Sequence, residues 1–195
     1  MVAGVFSPSA RSFALILFVL AATLFFLSPS VHAMRSTQKV LDMIKDFEGW
    51  RNCTYLNPSN LSAIGWGHLI QPDEPQLRMP GSCVTVAEAT RLFKSDVAAA
   101  ETCLLQALEL EHMTLYCDEF GALVSWAFNV GCNSVRSSTL LRKINSGTKD
   151  ADTVRSELLR WTLTSRAPIY GSIGLRRRRE KEAELYAKAQ PNANC

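Results

Sequence analysis

The stretch of this 195-residue chain with the most chemical character runs from Glu48-Gly49 through Tyr55, Asn57 and Ala63 to Ile64-Gly65-Trp66-Gly67-His68. Just before it, Val40, Leu41, Ile44 and Phe47 share one face of a predicted helix, with Ser36 or Thr37 as N-cap and a stop near Gly49. From Asn52 to His68, turn formers and β-formers alternate, which predicts short strands and a hairpin. An acid at a helix end therefore faces a hairpin across a cleft, a common setting for a substrate site. Taken alone, Glu48 fits a solvated helix-end acid better, because most Glu side chains stay in water. Asn57 likewise reads as a turn residue ahead of Pro58.

The elements that must hold this stretch are mostly helical. Residues 71–82 contain Pro72, Pro75 and Pro80 and are expected to form a loop. Thr85-x-x-Glu88 is a capping box opening a long helix that carries Ala89, Leu92, Phe93, Val97 and Leu104 at helical spacing. A helix from about Cys117 to Val130 is nearly apolar on all sides after Glu119, the mark of a central buried element. Ser137 or Ser138 caps a short helix bearing Leu140, Leu141 and Ile144 and closed by Gly147. Val154, Leu158, Leu159 and Trp161 mark another helix, residues 166–174 a loop, and Leu175 to Ala189 the last helix. The fold class is α+β, a small β-hairpin lobe set between an N-terminal helix and a larger helical lobe.

The first 33 residues stand outside that fold. Arg11 supplies a positive flank, Phe13 to Leu27 is an unbroken apolar run of fifteen, and Pro29 ends it. Val31-His32-Ala33 then offers small or apolar residues at the −3 and −1 positions of a signal-peptidase site. A secretory signal peptide over 1–33 and a single domain over 34–195 follow, with a secreted or periplasmic product. The rival is a retained anchor, for which fifteen apolar residues are short of the roughly 20 a spanning helix needs. All six Cys fall after Ala33. An even number in an exported chain predicts disulfides, in any of fifteen connectivities, over buried free thiols. With no C-x-x-C pair and only His68 and His112 left as histidines, no metal or other cofactor is expected. The net charge of +3 is too small to argue for nucleic acid as a partner, despite the run Arg176 to Arg179. Helical spacing fans those four arginines around the axis, most of them into solvent. Asn52-Cys53-Thr54 and Asn60-Leu61-Ser62 are glycosylation sequons if the chain passes through a eukaryotic secretory pathway.

The segment from Glu48 to His68 resembles the phage-type lysozymes, glycoside hydrolase family 24, whose motif runs Glu-Gly, Tyr-x-Asp, Thr-Ile-Gly-x-Gly-His with the same spacing. The resemblance continues through Leu92-Phe93-x2-Asp96-Val97, then Phe120-x-Ala122-Leu123-Val124-Ser125-x-Ala127-Phe128-Asn129-x-Gly131 and Ser138-Thr139-Leu140. It closes with Arg166-x3-Tyr170 and Gly174-Leu175-x2-Arg178-Arg179-x2-Glu182. These blocks cover almost all of 34–195, in order. The resemblance implies a lysozyme-like fold and a muramidase that hydrolyses β-1,4 bonds between N-acetylmuramic acid and N-acetylglucosamine. Peptidoglycan glycan strands would be its partner, with no stable membrane association after signal cleavage and a monomeric state.

The family's catalytic group is a Glu, an Asp nine residues on and a Thr six beyond that. Here the Glu is Glu48, but the Asp position holds Asn57 and the Thr position holds Ala63. An inverting glycosidase uses one carboxylic acid to protonate the leaving oxygen and a second carboxylate to activate water on the opposite face. Glu48 keeps the first role. Asn57 retains an amide oxygen that could orient water but no carboxylate to take its proton, and Ala63 lacks the hydroxyl. Asp46, Asp73 or Glu74 are the neighbouring acids that could substitute. The resemblance places Asp96 opposite His68, a pairing that would favour the charged imidazole. It also implies that Arg178 or Arg179 reaches the Glu48 end of the first helix. Trp50 and Trp66 are candidates for stacking on sugar rings, whereas Trp126 and Trp161 fit a core.

Overall fold

In the computed structural model, the described residues are 34–57, 59–79, 81–163 and 172–191. Residues 1–33, expected to be a signal peptide, and most of the loop expected over 166–174 lie outside them. Helix α1 (Gln38–Glu48) buries Val40 and Ile44 and ends where Gly49, at φ 72°, donates its N–H to Lys45 O. Strands β1 (Arg51–Leu56), β2 (Ser62–Gly65) and β3 (His68–Leu69) form an antiparallel sheet in the order β1-β2-β3. Tyr55 pairs with Ala63 and Ala63 with Leu69, so those three side chains share one face of the sheet.

The remaining elements are helical: α2 (Pro75–Arg78), α3 (Val86–Ala107), α4 (Cys117–Val130), α5 (Cys132–Ser137), α6 (Thr139–Asn145), α7 (Ala151–Leu159) with a 3-10 turn over Arg160–Thr162, and α8 (Ile173–Ala187). The Thr85–Glu88 capping box forms at the head of α3, with the Glu88 N–H donating to Thr85 Oγ1 and the Thr85 N–H to Glu88 Oε2. Ser138 caps α6 through the Leu141 N–H.

Helix α4 is the axis of the larger lobe, buried at Cys117 and at every residue from Glu119 to Ala127. Around it pack Val40 and Ile44 of α1, Phe93, Val97 and Leu104 of α3, Leu140 and Ile144 of α6, Leu158 of α7 and Tyr186 of α8. Each such side chain contributes about 1.5–3 kcal/mol on burial. Gly121 lets α1 lie directly on α4, since a Cβ there would run into Val40. A smaller cluster of Ile64, Ile70, Val84, Ala89 and Leu92 seats the sheet on the first turns of α3.

Disulfides join Cys53 to Cys83 and Cys103 to Cys132, and Cys117 is disulfide-bonded as well. The first closes the small lobe on itself, and the second ties α3 to the start of α5. Buried free thiols are thereby excluded at these positions.

Three expectations need correction. The loop over 71–82 contains the helical turn α2, because Pro75 at its first position has the backbone angle a helix requires. Helix α5 has only Val135 buried, too little apolar periodicity for the sequence to announce it. The last helix begins at Ile173, because Ser172 accepts the Leu175 N–H and caps it there.

Candidate active site

Glu48 is the last residue of α1, and its carboxylate is gripped from behind. Arg178 of α8 places Nη1 2.5 Å from Glu48 Oε1. The same guanidinium donates through Nη2 to Ser125 O at 3.0 Å and through Nε to Glu182 Oε1 at 3.2 Å. Arg179 is fully buried and donates through Nη2 to Asn129 Oδ1 and to Glu182 Oε1. Glu182, also fully buried, further accepts from Ser125 Oγ at 2.7 Å.

Spacing on α8 explains the convergence: 178 and 182 are i,i+4 and 179 and 182 are i,i+3, so all three project onto the face that meets α4. Two guanidiniums and two carboxylates balance, which is what makes so much buried charge tolerable. Burial pushes Arg179 down to about 10 even though Glu182 holds its proton on. Burial likewise pushes Glu182 up, against the pull of both arginines. Of the two arginines, Arg178 is the one that touches Glu48. Arg176 and Arg177 are exposed, and Arg176 pairs with Glu180.

The other oxygen of Glu48 faces the hairpin. Gly67, at φ 82°, comes so near that a Cβ would lie 3.0 Å from Glu48 Oε2. Only glycine gives both that backbone conformation and that clearance. Gly67 is also a wall of a groove of about 280 Å³ between the lobes, lined by Leu69 and Gln71, by Asp96, Ala99, Ala100 and Cys103 of α3, and by Ala127, Phe128, Gly131 and Cys132. Burial raises the pKa of Tyr55, and the nearby charge of Glu48 raises it further, so a neutral phenol stands close to the carboxylate.

His68 anchors the hairpin side. Its Nδ1 is 2.9 Å from Asp96 Oδ2 and 3.1 Å from Oδ1, as expected. Its Nε2 is 2.8 Å from Glu74 Oε2, a second partner that the sequence reading did not assign. The bond to Asp96 raises His68 to about 9, with burial opposing and Glu74 adding. Burial also opposes the ionisation of Glu74, but the Gln71 N–H and His68 together hold it below the ordinary carboxylate range.

The half of the site where a water-activating group is expected is built differently. Asn57 Oδ1 accepts the N–H of Ser59 at 2.9 Å and that of Leu61 at 3.0 Å. The side chain therefore closes its own turn. Two backbone N–H groups thus share the amide oxygen that was expected to orient a water. Ala63 is 1% exposed, between Tyr55 and Leu69 on the sheet face.

None of the three neighbouring acids fills the gap. Glu74 is bound to His68. Asp73 is exposed and is not part of the groove wall. Asp46 lines a separate concavity of about 450 Å³ with Asp42, Lys45, Gly49, Trp50 and Trp66. There the rings of Trp50 and Trp66 lie 4.7 Å apart and Lys45 Nζ sits 4.1 Å above Trp66. Trp50 is 41% exposed, whereas Trp126 is buried and meets Trp161 edge-on at 5.6 Å.

Comparison with known proteins supplies the context. Residues 45–182 match the family described as Phage lysozyme. The chain is 31% identical over 157 residues to the endolysin of Bacillus phage B103, covering 78% of this chain and spanning about half, 54%, of that relative's length. Among solved structures, the endolysin from Escherichia coli O157:H7 phage FAHEc1 superposes with a TM-score of 0.68 at 28% identity, covering 80% of this chain and 94% of that one. The muramidase domain of SpmX from Asticaccaulis excentricus superposes with a TM-score of 0.66 at 27% identity, covering 78% and 97%.

Proposed function

The chain belongs to the phage lysozyme family, and from that premise we propose that it is an exported muramidase. Its substrate is the bacterial peptidoglycan strand, cut at the β-1,4 bond between N-acetylmuramic acid and N-acetylglucosamine, with Glu48 as the proton donor. The observation that carries this reading is the asymmetric setting of one carboxylate. Oε1 is fixed by a buried arginine, while Oε2 lies at the Gly67 turn that forms the groove wall. A carboxylic acid so placed presents its proton to a glycosidic oxygen without having to search for it. The leader over 1–33 and the disulfides fit a product that acts outside the cytoplasm, where such bonds persist.

A second reading, a lysozyme-fold protein that binds the glycan and cuts it poorly, is favoured by Asn57 and Ala63. Loss of general-base assistance costs about 10²–10⁴-fold in rate. Both readings are tested with purified peptidoglycan. Under the enzyme reading the oxidised protein solubilises it, and Glu48→Gln lowers the rate by about 10²-fold or more while peptidoglycan binding persists. Binding by the parent with no solubilisation, and solubilisation acquired in Asn57→Asp, establishes the second reading instead.

A further inference from the structure

We propose that the face of α1 turned away from the core carries a second, non-catalytic glycan-binding site, an aromatic platform built by Trp50 and Trp66. The ligand class, a pyranose of the N-acetylated cell-wall strand, rests on the muramidase reading. Asp42, Lys45, Asp46 and Gly49 follow one another at helical spacing, so they form one stripe along α1, opposite the buried Val40 and Ile44. With the two tryptophans they enclose the concavity of about 450 Å³, and none of these residues belongs to the groove wall beside Gly67. The concavity shares Asp42 and Asp46 with a trough of about 720 Å³ between α1 and α8, so a bound strand can run on past the platform.

The two rings are held differently. Trp66 sits on the turn between β2 and β3, packs against both hydrophobic clusters and meets Phe93 edge-on at 6.0 Å. Trp50, on the link from α1 to β1, leans on Trp66 with 48° between the ring planes and stays 41% exposed. A wedged indole thus fixes the pose of an exposed one, and such a platform loses little freedom when a ligand settles on it. Its rim supplies both kinds of hydrogen-bonding group. Lys45 Nζ lies over the Trp66 and Phe93 rings and forms no ion pair among the described residues. Asp46 has no side-chain partner among them, and Asp42 gives one oxygen to Gln38. An indole face bordered by carboxylates and an ammonium suits a pyranose, whose axial C–H groups present an apolar face and whose hydroxyls and acetamido group surround it. A cationic ligand fits less well, because Lys45 Nζ at 4.1 Å already occupies the position above Trp66 that such a ligand would take. A wall polymer offers the same sugars many times over, so a chain that holds it at the platform as well as at the cleft stays attached longer.

The test titrates the oxidised protein with tri-N-acetylchitotriose, a short N-acetylglucosamine oligomer, and reads the indole N–H signals by NMR, with Trp50→Phe assigning the Trp50 signal. That signal should shift saturably in the parent chain. In a Glu48→Gln background, which holds the wall without cutting it, Trp50→Ala should weaken retention on insoluble peptidoglycan by at least about fivefold, and Trp50→Phe should restore most of it. A urea midpoint close to the parent's checks that each variant is folded. No shift at Trp50, or unchanged retention in folded Trp50→Ala, overturns the inference, and solubilisation of peptidoglycan by the parent then leaves the muramidase reading standing. A shift with the free stem peptide of peptidoglycan and none with the triose overturns the sugar assignment. The shift and the fivefold loss, seen in a parent that solubilises no peptidoglycan, support the platform and overturn the muramidase reading instead.

Discussion

The two sides of Glu48 are built to different standards. Behind it, Arg178, Arg179, Glu182, Ser125 and Asn129 form a buried network in which α8 is locked to α4. In front, across the hairpin, Asn57 serves its own turn and Ala63 is an inert methyl group. A buried charge cannot be lost singly without leaving its partners unpaired, so a network of this kind resists piecemeal change. A solvent-facing turn has no such constraint: an Asn closes it as an Asp would. Under the function proposed above, the contrast explains how a proton donor and its water-activating partner can part company within one fold. The donor is tied to the stability of the chain, and the partner is not.

Breaking the rear side should have the largest effect. Glu182→Gln leaves two guanidiniums facing only Glu48, in a space where Arg179 has no exposure. Loss of one member of a buried charge set costs about 3–5 kcal/mol. Urea denaturation of the oxidised protein should show that loss, together with weaker solubilisation of peptidoglycan as Arg178 loses one of the groups that fix it. A cost near zero would mean that the network is ornamental.

The front side offers a smaller lever in Ala63→Thr, which restores a hydroxyl at a position that is 1% exposed. Added volume at a packed site costs about 1–3 kcal/mol. The expected outcome is a lower denaturation midpoint with no gain in solubilisation unless Asn57→Asp accompanies it. A stable single variant with full activity would show that the methyl group alone is what limits the front side.

His68 stands between the two halves and gives the comparison a pH axis. In the folded chain it holds its proton to about 9, against an ordinary value of 6.5. The stabilisation is therefore complete below about pH 6.5 and is lost as pH rises through about 9. The fall in unfolding free energy over that window should be on the order of 1–2 kcal/mol after allowance for solvent screening. Asp96→Asn should flatten it, and a parent whose stability does not change from pH 6.5 to 9 would contradict the pairing.

The sequence disclosed these features unevenly, for identifiable reasons. The Thr85–Glu88 box, the buried helix over Cys117–Val130 and an arginine at Glu48, either Arg178 or Arg179, follow from local pattern or from the family resemblance. Helix α8 is the instructive failure. Its segment is polar almost all round, yet Arg178, Arg179 and Glu182 are among the most deeply buried side chains of the molecule. Periodicity arguments count apolar side chains, so a helix face buried through charge compensation looks like a solvated one. The contact of Glu74 with His68 was not legible because it depends on how the proline-rich loop folds back, and no spacing rule covers that. The disulfide pairs required the folded chain, since fifteen connectivities are equivalent on paper.

The smallest effect tests the claim that the front side is structurally free. Asn57→Ala removes the oxygen that accepts the Ser59 and Leu61 N–H groups. Both residues are exposed, so water can replace the lost acceptor, and the cost should be about 1 kcal/mol, close to that of an ordinary hydrogen bond. Since the side chain is engaged in closing its own turn, solubilisation of peptidoglycan should stay within about threefold of the parent, a change of well under 1 kcal/mol in barrier. The denaturation midpoint and the solubilisation rate together decide the matter. A rate lowered by about 10²-fold in a chain that has lost only about 1 kcal/mol of stability would assign Asn57 a direct part in the chemistry, and the division between a fixed donor and a dispensable partner would fail.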